Sequence, residues 1–121
     1  MSTTISGTSG VTFPDSTSMQ TGQQACKAWV NFNGSGTVAI RESYNVSSIT
    51  DNGTGDYTVN FTTAMPDANY SAVGNGYNDQ SGGTFTGLND GRRTTSTIRI
   101  TTKGVSEAFF DCPIVNVSIF R

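Results

Sequence analysis

Hydrophobic and polar residues alternate along most of the chain after Cys26, which is the pattern of half-buried β-strands. In the first such stretch three apolar residues fall on one face, namely Ala28, Val30 and Phe32. Trp29 falls on the opposite face. Residues 33–36 read Asn-Gly-Ser-Gly, which suits the positive φ angles of a tight turn, and alternation resumes at 37–41. The pattern therefore predicts a β-hairpin over 28–41.

Later stretches repeat this alternation and are separated by runs rich in Gly, Asn, Asp and Ser, which favour turns. The apolar residues that share a face in them are Tyr57, Val59, Phe61, Ile98, Ile100, Val115, Val117 and Ile119. Val46 and Ile49 are spaced irregularly, which predicts a bulge or an irregular edge in a strand at 45–51. Without strand–helix alternation, the pattern predicts an all-β fold: a small antiparallel β-sandwich or barrel-like domain over 26–121.

Residues 1–25 differ from the rest, since Val11 and Phe13 are their main large apolar side chains. We expect an extended N-terminal arm there. It is either disordered or a docking segment that contacts another protein or a symmetry axis. Val11 and Phe13 are the candidate assembly contacts in the arm. Trp29 is a third, because a core or interface position is favoured for it over a sugar-stacking one.

Two Gly- and Asn-rich segments, 75–83 and 89–95, are predicted as surface loops, which commonly carry binding function. The candidate receptor contacts within them are Tyr77, Asn78, Arg92 and Arg93. Tyr44 and Tyr70 are further candidates for surface contact. The arginine pair also has a plainer interpretation as a solvated turn.

The composition narrows the possible partners. Charged residues make up 13% of the chain and hydrophobic ones 34%, so uncharged polar residues and Gly fill the rest, as in disordered chains or in β-structure faced with Thr, Ser and Asn. The regular spacing of β-branched and aromatic residues favours folded β-structure. The small apolar fraction suggests that the chain oligomerises. A net charge of -2 argues against a nucleic acid partner.

No window of the sequence is long and apolar enough to predict a membrane span or a signal peptide, so we expect no membrane partner and synthesis in the cytoplasm. Cys26 and Cys112 could form a disulfide. The cytoplasmic origin favours free thiols instead.

The residue types for common catalysis are scarce. The chain has no His, which removes Ser-His-Asp and Cys-His arrangements and the usual zinc sites. We therefore expect no enzyme activity, no cofactor and no metal. A glycosidase pair of carboxylates is the enzymatic alternative. Most of its candidates lie in turns, where Asp caps its own backbone: Asp51, Asp56, Asp67, Asp79, Asp90 and Asp111.

Several segments carry a resemblance. The runs 25–34 (ACKAWVNFNG), 36–41 (GTVAIR), 45–61 (NVSSITDNGTGDYTVNF) and 65–66 are similar to a motif of phage virion proteins described as tail fibre or structural proteins. The run 5–15 (ISGTSGVTFPD) resembles the lead-in to such domains. The resemblance implies a virion component, commonly a trimeric fibre or its distal tip, and supplies no catalytic residues.

From this resemblance we expect a homotrimeric fibre or fibre-tip protein of the virion that contributes to attachment at the host surface. The arm would contact other virion proteins, and the β-domain would contact a glycan or protein on the host cell. A capsid or neck decoration protein without a receptor is the alternative, and a carbohydrate-active enzyme is a third.

Overall fold

The computed structural model describes residues 3–7, 10–19, 25–78, 85–104 and 106–121. Within these ranges the chain forms β-strands and no helix, which confirms the all-β prediction. These residues accordingly contain no helix that could cross a membrane. The strands are β1 (Thr4–Ser6), β2 (Gly10–Thr12), β3 (Ser18–Met19), β4 (Cys26–Asn33), β5 (Ala39–Tyr44), β6 (Val46–Gly53), β7 (Asp56–Phe61), β8 (Ser71–Tyr77), β9 (Phe85–Arg93), β10 (Thr97–Lys103) and β11 (Ile114–Phe120).

Two four-stranded antiparallel sheets form the domain. The front sheet has the strand order β5-β4-β11-β8, and the back sheet has the order β6-β7-β10-β9. Neither sheet closes on itself, so of the two predicted architectures the structure is a sandwich and not a closed barrel. The predicted hairpin at 28–41 is the β4–β5 pair.

The inner faces of the two sheets form one hydrophobic core, as the alternation predicted. The rings of Phe32 in the front sheet and Tyr57 in the back sheet meet edge to face, with centroids 5.2 Å apart. The core residues are Ala28, Val30, Phe32, Val46, Tyr57, Val59, Phe61, Met65, Tyr70, Ile98, Ile100, Cys112, Val115, Val117 and Ile119. Burial of each large side chain stabilises the fold by roughly 1.5–3 kcal/mol.

A single residue, Asn45, carries the chain from the front sheet to the back sheet. Its φ of 56° lies in the left-handed region, which Asn tolerates better than most residues. Its side-chain amide donates to the backbone oxygens of Lys27 and Thr63, and its Oδ1 accepts from the Thr63 N–H at 2.7 Å. The predicted irregularity of the next strand is confirmed, because the β6–β7 register shifts between Val46 and Ser48.

The two ends of the sandwich differ in what they contain. At the arm end, Cys26 begins β4 next to Phe120, and segments 62–70 and 94–96 connect strands. At the far end, the β4–β5 turn, the β6–β7 turn and segment 106–113 come together around Tyr57. The Tyr57 hydroxyl shares its hydrogen between the Gly34 carbonyl oxygen at 2.8 Å and Asp111 Oδ1 at 2.9 Å. Burial raises the pKa of Tyr57, and its hydrogen bond with Asp111 adds to that effect.

The N-terminal arm is extended locally, but it folds back on itself as a third antiparallel sheet in the order β1-β2-β3. Ser16, with a φ of 69°, makes the second reversal, and Asp15 Oδ1 accepts from the Thr17 N–H at 3.0 Å. Strands of two or three residues bury little apolar surface, so a sheet this small needs another surface for stability.

The two cysteines are thiols and form no disulfide, as predicted. Cys26 lies at the arm end next to Phe120, whereas Cys112 is buried just before β11 begins. The length of β11, about 20 Å, separates them, far beyond the reach of a disulfide.

The loop predictions were wrong for 75–77, which belong to β8, and for 89–93, which belong to β9. Asn75 and Gly76 belong to β8 and pair with Asn116 and Val115, and β9 extends to Arg93. Backbone hydrogen bonds hold these strands and need no particular side chains, so Gly and Asn did not prevent strand formation. Residues 79–84 lie outside the described residues.

Candidate binding surface on the front sheet

The outer face of the front sheet collects exposed apolar side chains. Of the nine large hydrophobic residues exposed in the described part of the chain, six lie on this face. They are Trp29, Tyr44, Val73, Tyr77, Ile114 and Phe120. They lie outside because inner and outer positions alternate along a strand, and the intervening residues fill the core. A monomer rarely exposes so many apolar residues on one face without using them for contact.

One row of this face, called here the aromatic row, contains two aromatic residues. Trp29 pairs directly with Tyr44 on β5 and with Ser118 on β11, which in turn pairs with Val73 on β8. Tyr44 is 58% exposed and Trp29 36%. The two rings therefore lie side by side on neighbouring strands and are open to solvent.

A ladder of amides crosses the same face one row further along. Asn31 Nδ2 donates to Asn116 Oδ1 at 2.6 Å, and Asn116 Nδ2 donates to Asn75 Oδ1 at 3.0 Å. Arg41 closes the β5 side by donating to Asn31 Oδ1 and to the Pro113 carbonyl oxygen. The ladder fixes the orientation of each amide and leaves Asn75 Nδ2 as a donor without a partner among the described residues.

A shallow groove of about 300 Å³ lies between the ladder and the aromatic row, on the β8–β11 side. Its lining consists of Val73, Gly74, Asn75, Asn116 and Ser118. The Ser118 hydroxyl has no hydrogen-bond partner in the described ranges. The groove therefore offers an apolar wall, two unused polar groups and no formal charge.

The outer face of the back sheet is different in kind. Asn60 Nδ2 donates to Ser48 Oγ and Thr50 Oγ1, and Asn52 Nδ2 donates to Thr58 Oγ1. These side chains satisfy one another and present short hydroxyls and amides to solvent. Where its side chains are described, on β6 and β7, the back sheet thus presents a polar outer face, in contrast to the front sheet.

The predicted contacts Tyr77 and Asn78 lie at the far end of the front sheet. Tyr77 is 57% exposed on the outer face and pairs with Ile114. Asn78 Nδ2 donates to the Asp111 carbonyl oxygen at 3.4 Å, so this amide contributes to the fold at the far end. Of the two residues, only Tyr77 belongs to the exposed face.

The predicted contacts Arg92 and Arg93 lie at the other end. Arg93 Nη1 donates to the Tyr70 carbonyl oxygen at 2.6 Å, and its guanidinium lies 5.0 Å from the Tyr70 ring centroid. Tyr70 and Tyr77 mark opposite ends of β8, about 20 Å apart. The structure therefore does not bring the arginine pair and Tyr77 into one site. Arg92 is exposed, and Arg93 packs on Tyr70.

Other predicted contacts fall in several places. Tyr70 is buried and its hydroxyl donates hydrogen bonds to the carbonyl oxygens of Thr94 and Thr97, so its assignment as a surface contact was wrong.

The three candidate assembly contacts lie in two places. Trp29 is outside the core, on the outer face of the front sheet. Phe13 is 38% exposed, and Val11, half-buried, is in register with Ile5 in the arm sheet. The amide ladder was not predicted from the sequence, although the alternation along β11 places Asn116 and Ser118 on the face opposite the core residues.

A second cavity lies at the arm end, between β4 and the 62–66 segment. It has a volume of about 690 Å³. Its lining consists of Lys27, Tyr44, Asn45, Thr62, Thr63, Ala64, Met65, Pro66 and Arg121. Two of these side chains already have partners. Asn45 is hydrogen-bonded to Lys27 and Thr63 where the chain passes between the sheets, and Arg121 is paired with Asp67 at 2.7 Å. Tyr44 lines both this cavity and the outer face of the front sheet.

The carboxylates serve the fold in two ways. Asp51 and Asp67 cap local backbone N–H groups, as predicted for turns. Asp56 and Asp111 instead make tertiary contacts, so the prediction of local capping was wrong for them. Asp56 binds Arg99, and Asp111 Oδ1 accepts from the Gly55 N–H at 2.8 Å. In the described ranges no three His, Cys, Asp or Glu side chains lie close enough together to hold a metal ion.

The Asp56–Arg99 pair should make stability depend on pH. The Arg99 guanidinium donates to Asp56 and holds the pKa of that carboxyl below its ordinary value of 3.8. The unfolded chain then binds a proton at higher pH than the folded one, so the stabilisation is present above 3.8 and is lost as the pH falls below it. We expect Asp56→Asn to flatten the decline in urea-unfolding free energy below that pH.

Arg99→Gln should flatten the same decline, since it removes the donor. Part of the decline in unfolding free energy with falling pH should persist in both variants. We expect it from Asp67, because Arg121 lowers the pKa of that carboxyl in the same way. A decline as steep as that of the wild type in both variants would contradict the assignment.

The comparisons with known proteins give no further guide to the site: no family model, no curated protein and no solved structure matches the chain.

Proposed function

We propose that the chain is a virion fibre or fibre-tip protein that attaches the particle to the host surface through the outer face of its front sheet. The observation that carries the proposal is the concentration of six exposed large hydrophobic residues on this one face. Binding through a preformed surface requires such a patch, and it requires no reacting groups. The resemblance of 25–34 and 45–61 to phage virion proteins supports the same function.

The arm supports the assembly part of the proposal. Ile5, which is 82% exposed, and Val11 are in register in the arm sheet, and Phe13 follows in the turn after β2. A sheet of this size gains stability by burying such residues against another surface. In a homotrimeric fibre the arms would supply that surface for one another or dock on neighbouring virion proteins. The front sheet would then stay open for the host.

Competition for adsorption tests the proposal. The purified full chain, added to host cells before the virus that encodes it, is expected to reduce adsorption of the virus. Trp29→Thr should weaken this competition roughly tenfold, because it removes the largest ring from the face and keeps a residue that favours β-strands.

Thr50→Ala is the matched control, since Thr50 is exposed on the outer face of the back sheet. It should compete like the wild type. The proposal fails if the wild-type protein does not compete, or if both variants lose competition to the same extent.

A further inference from the structure

The outer face of the front sheet combines ring surfaces with hydrogen-bonding groups that the fold leaves unused. The hydroxyls of Tyr44, Tyr77 and Ser118 have no partner in the part of the chain that the structure describes, and neither does Asn75 Nδ2. Each of these groups lies beside an apolar surface. A pyranose has the matching chemistry, because one side of its ring carries C–H groups and its edge carries hydroxyls that both donate and accept.

The groove favours an uncharged ligand. None of its lining residues carries a charge, and Asn75 and Asn116 present neutral amides. Arg41 is the cation that contacts the ladder, and it already donates to Asn31 and Pro113. An acidic sugar would therefore find no free cation in the groove itself, whereas a neutral one needs none; Lys27 lies outside the groove, in the cavity beside Tyr44.

The size of the site fits a short chain of sugars. A volume of about 300 Å³ lies at the lower limit of small-molecule sites and accommodates only a small part of an oligosaccharide. The ring of Tyr77 lies four residues along the strand and two strands across from Trp29, a diagonal of about 16 Å. A ligand that touches both rings must be several sugar residues long and must cross the amide ladder between them.

A flat apolar protein surface fits this face less well than a sugar. A flat apolar partner would bury the Ser118 hydroxyl and Asn75 Nδ2 without partners, at a cost of about 1–3 kcal/mol for each group. Sugar hydroxyls would satisfy both groups while their ring faces cover the aromatic side chains. The unused polar groups in the middle of the face thus distinguish the two occupants.

From this arrangement we propose that the front sheet binds an uncharged oligosaccharide, with Tyr77 and the Trp29–Tyr44 pair as stacking platforms and Asn75, Asn116 and Ser118 as hydrogen-bonding groups. The inference rests on the proposed attachment function and names the class of receptor for it. The ligand lies across β8, β11 and β4, and the ladder holds the Asn116 amide in place before binding.

The experiment uses the only tryptophan of the chain as its probe, since Trp29 lies in the proposed site. The full chain is titrated with a panel of neutral gluco-, galacto-, manno- and N-acetylhexosamine oligosaccharides, and with sialylated and uronic acid oligosaccharides of matched length. At least one neutral oligosaccharide is expected to shift Trp29 fluorescence saturably. Tyr77→Thr should weaken that binding roughly tenfold, and Thr50→Ala should leave it unchanged.

Three results would overturn the inference. They are the absence of any saturable shift with neutral sugars, binding of acidic sugars alone, and a Tyr77→Thr variant that binds like the wild type. Light scattering supplies a further check, because a drop in oligomer mass with Tyr77→Thr would identify the face as a contact between copies. If Trp29→Thr abolishes competition for adsorption while no neutral sugar binds, the attachment function stands and the sugar assignment fails.

Discussion

Gly34→Ala is expected to lower the free energy of unfolding by about 3 kcal/mol or more. A Cβ at this position would lie 2.5 Å from the Tyr57 hydroxyl oxygen and 2.9 Å from the Cys112 carbonyl oxygen. Neither group can move easily, since Tyr57 is fully buried and the Gly34 N–H donates to the same Cys112 oxygen at 2.8 Å. Thermal unfolding followed by circular dichroism should show a fall in Tm of about 15 °C.

Gly36→Ala is the matched control in the same turn. Gly36 has a φ of 62° and no atom within 4 Å of a Cβ, so its replacement costs only the left-handed conformation, about 1–2 kcal/mol. In a Tyr57→Phe background, Gly34→Ala should cost less than in the wild type, because the closest atom has gone. Equal Tm values for the two alanine variants would contradict the steric explanation.

Phe32→Ala is expected to cost about 3–5 kcal/mol, because it leaves a cavity between the sheets and removes the edge-to-face contact with Tyr57. Phe32 is fully buried and belongs to the same strand as Trp29. Urea unfolding followed by circular dichroism measures the loss.

Trp29→Thr, three positions away and on the opposite face, should cost about 1 kcal/mol or less. This contrast separates residues that stabilise the sandwich from residues that are available for binding. If Trp29→Thr lowered the free energy of unfolding as much as Phe32→Ala does, the outer face would be needed to stabilise the monomer. It could then no longer be regarded as a surface available for binding.

The sandwich was predictable where side chains alternate strongly. Ala28, Val30 and Phe32 face the core as their spacing indicates, and so do Ile98 and Ile100. The later parts of strands β8 and β9 escaped prediction because Gly and Asn interrupt the hydrophobic pattern there. Their pairing depends on backbone hydrogen bonds to neighbours that lie far away in the chain.

The candidate binding face was only partly predictable for a related reason. Trp29 alternates with the core residues Ala28 and Val30, so the sequence already places it on the opposite face. Tyr77 stands out as an aromatic residue in a segment of Gly and polar residues. The ladder, however, joins Asn31 to Asn116 across 85 positions and then to Asn75. Only the register of β4, β11 and β8 brings these amides together, and a single sequence does not determine register between distant strands.

The position of β4 in the middle of the front sheet has a mechanical consequence. If the chain attaches a particle to a surface as proposed, the particle pulls on the domain through the arm, and the pull enters at Cys26, the first residue of β4. Because β4 lies between β5 and β11, its backbone hydrogen bonds to both neighbours run across the direction of the pull and share the load together. An edge strand pulled sideways would instead lose its bonds one at a time. Trp29 lies on this same strand, so in that case the load would pass from the arm to the candidate binding face without crossing a loop.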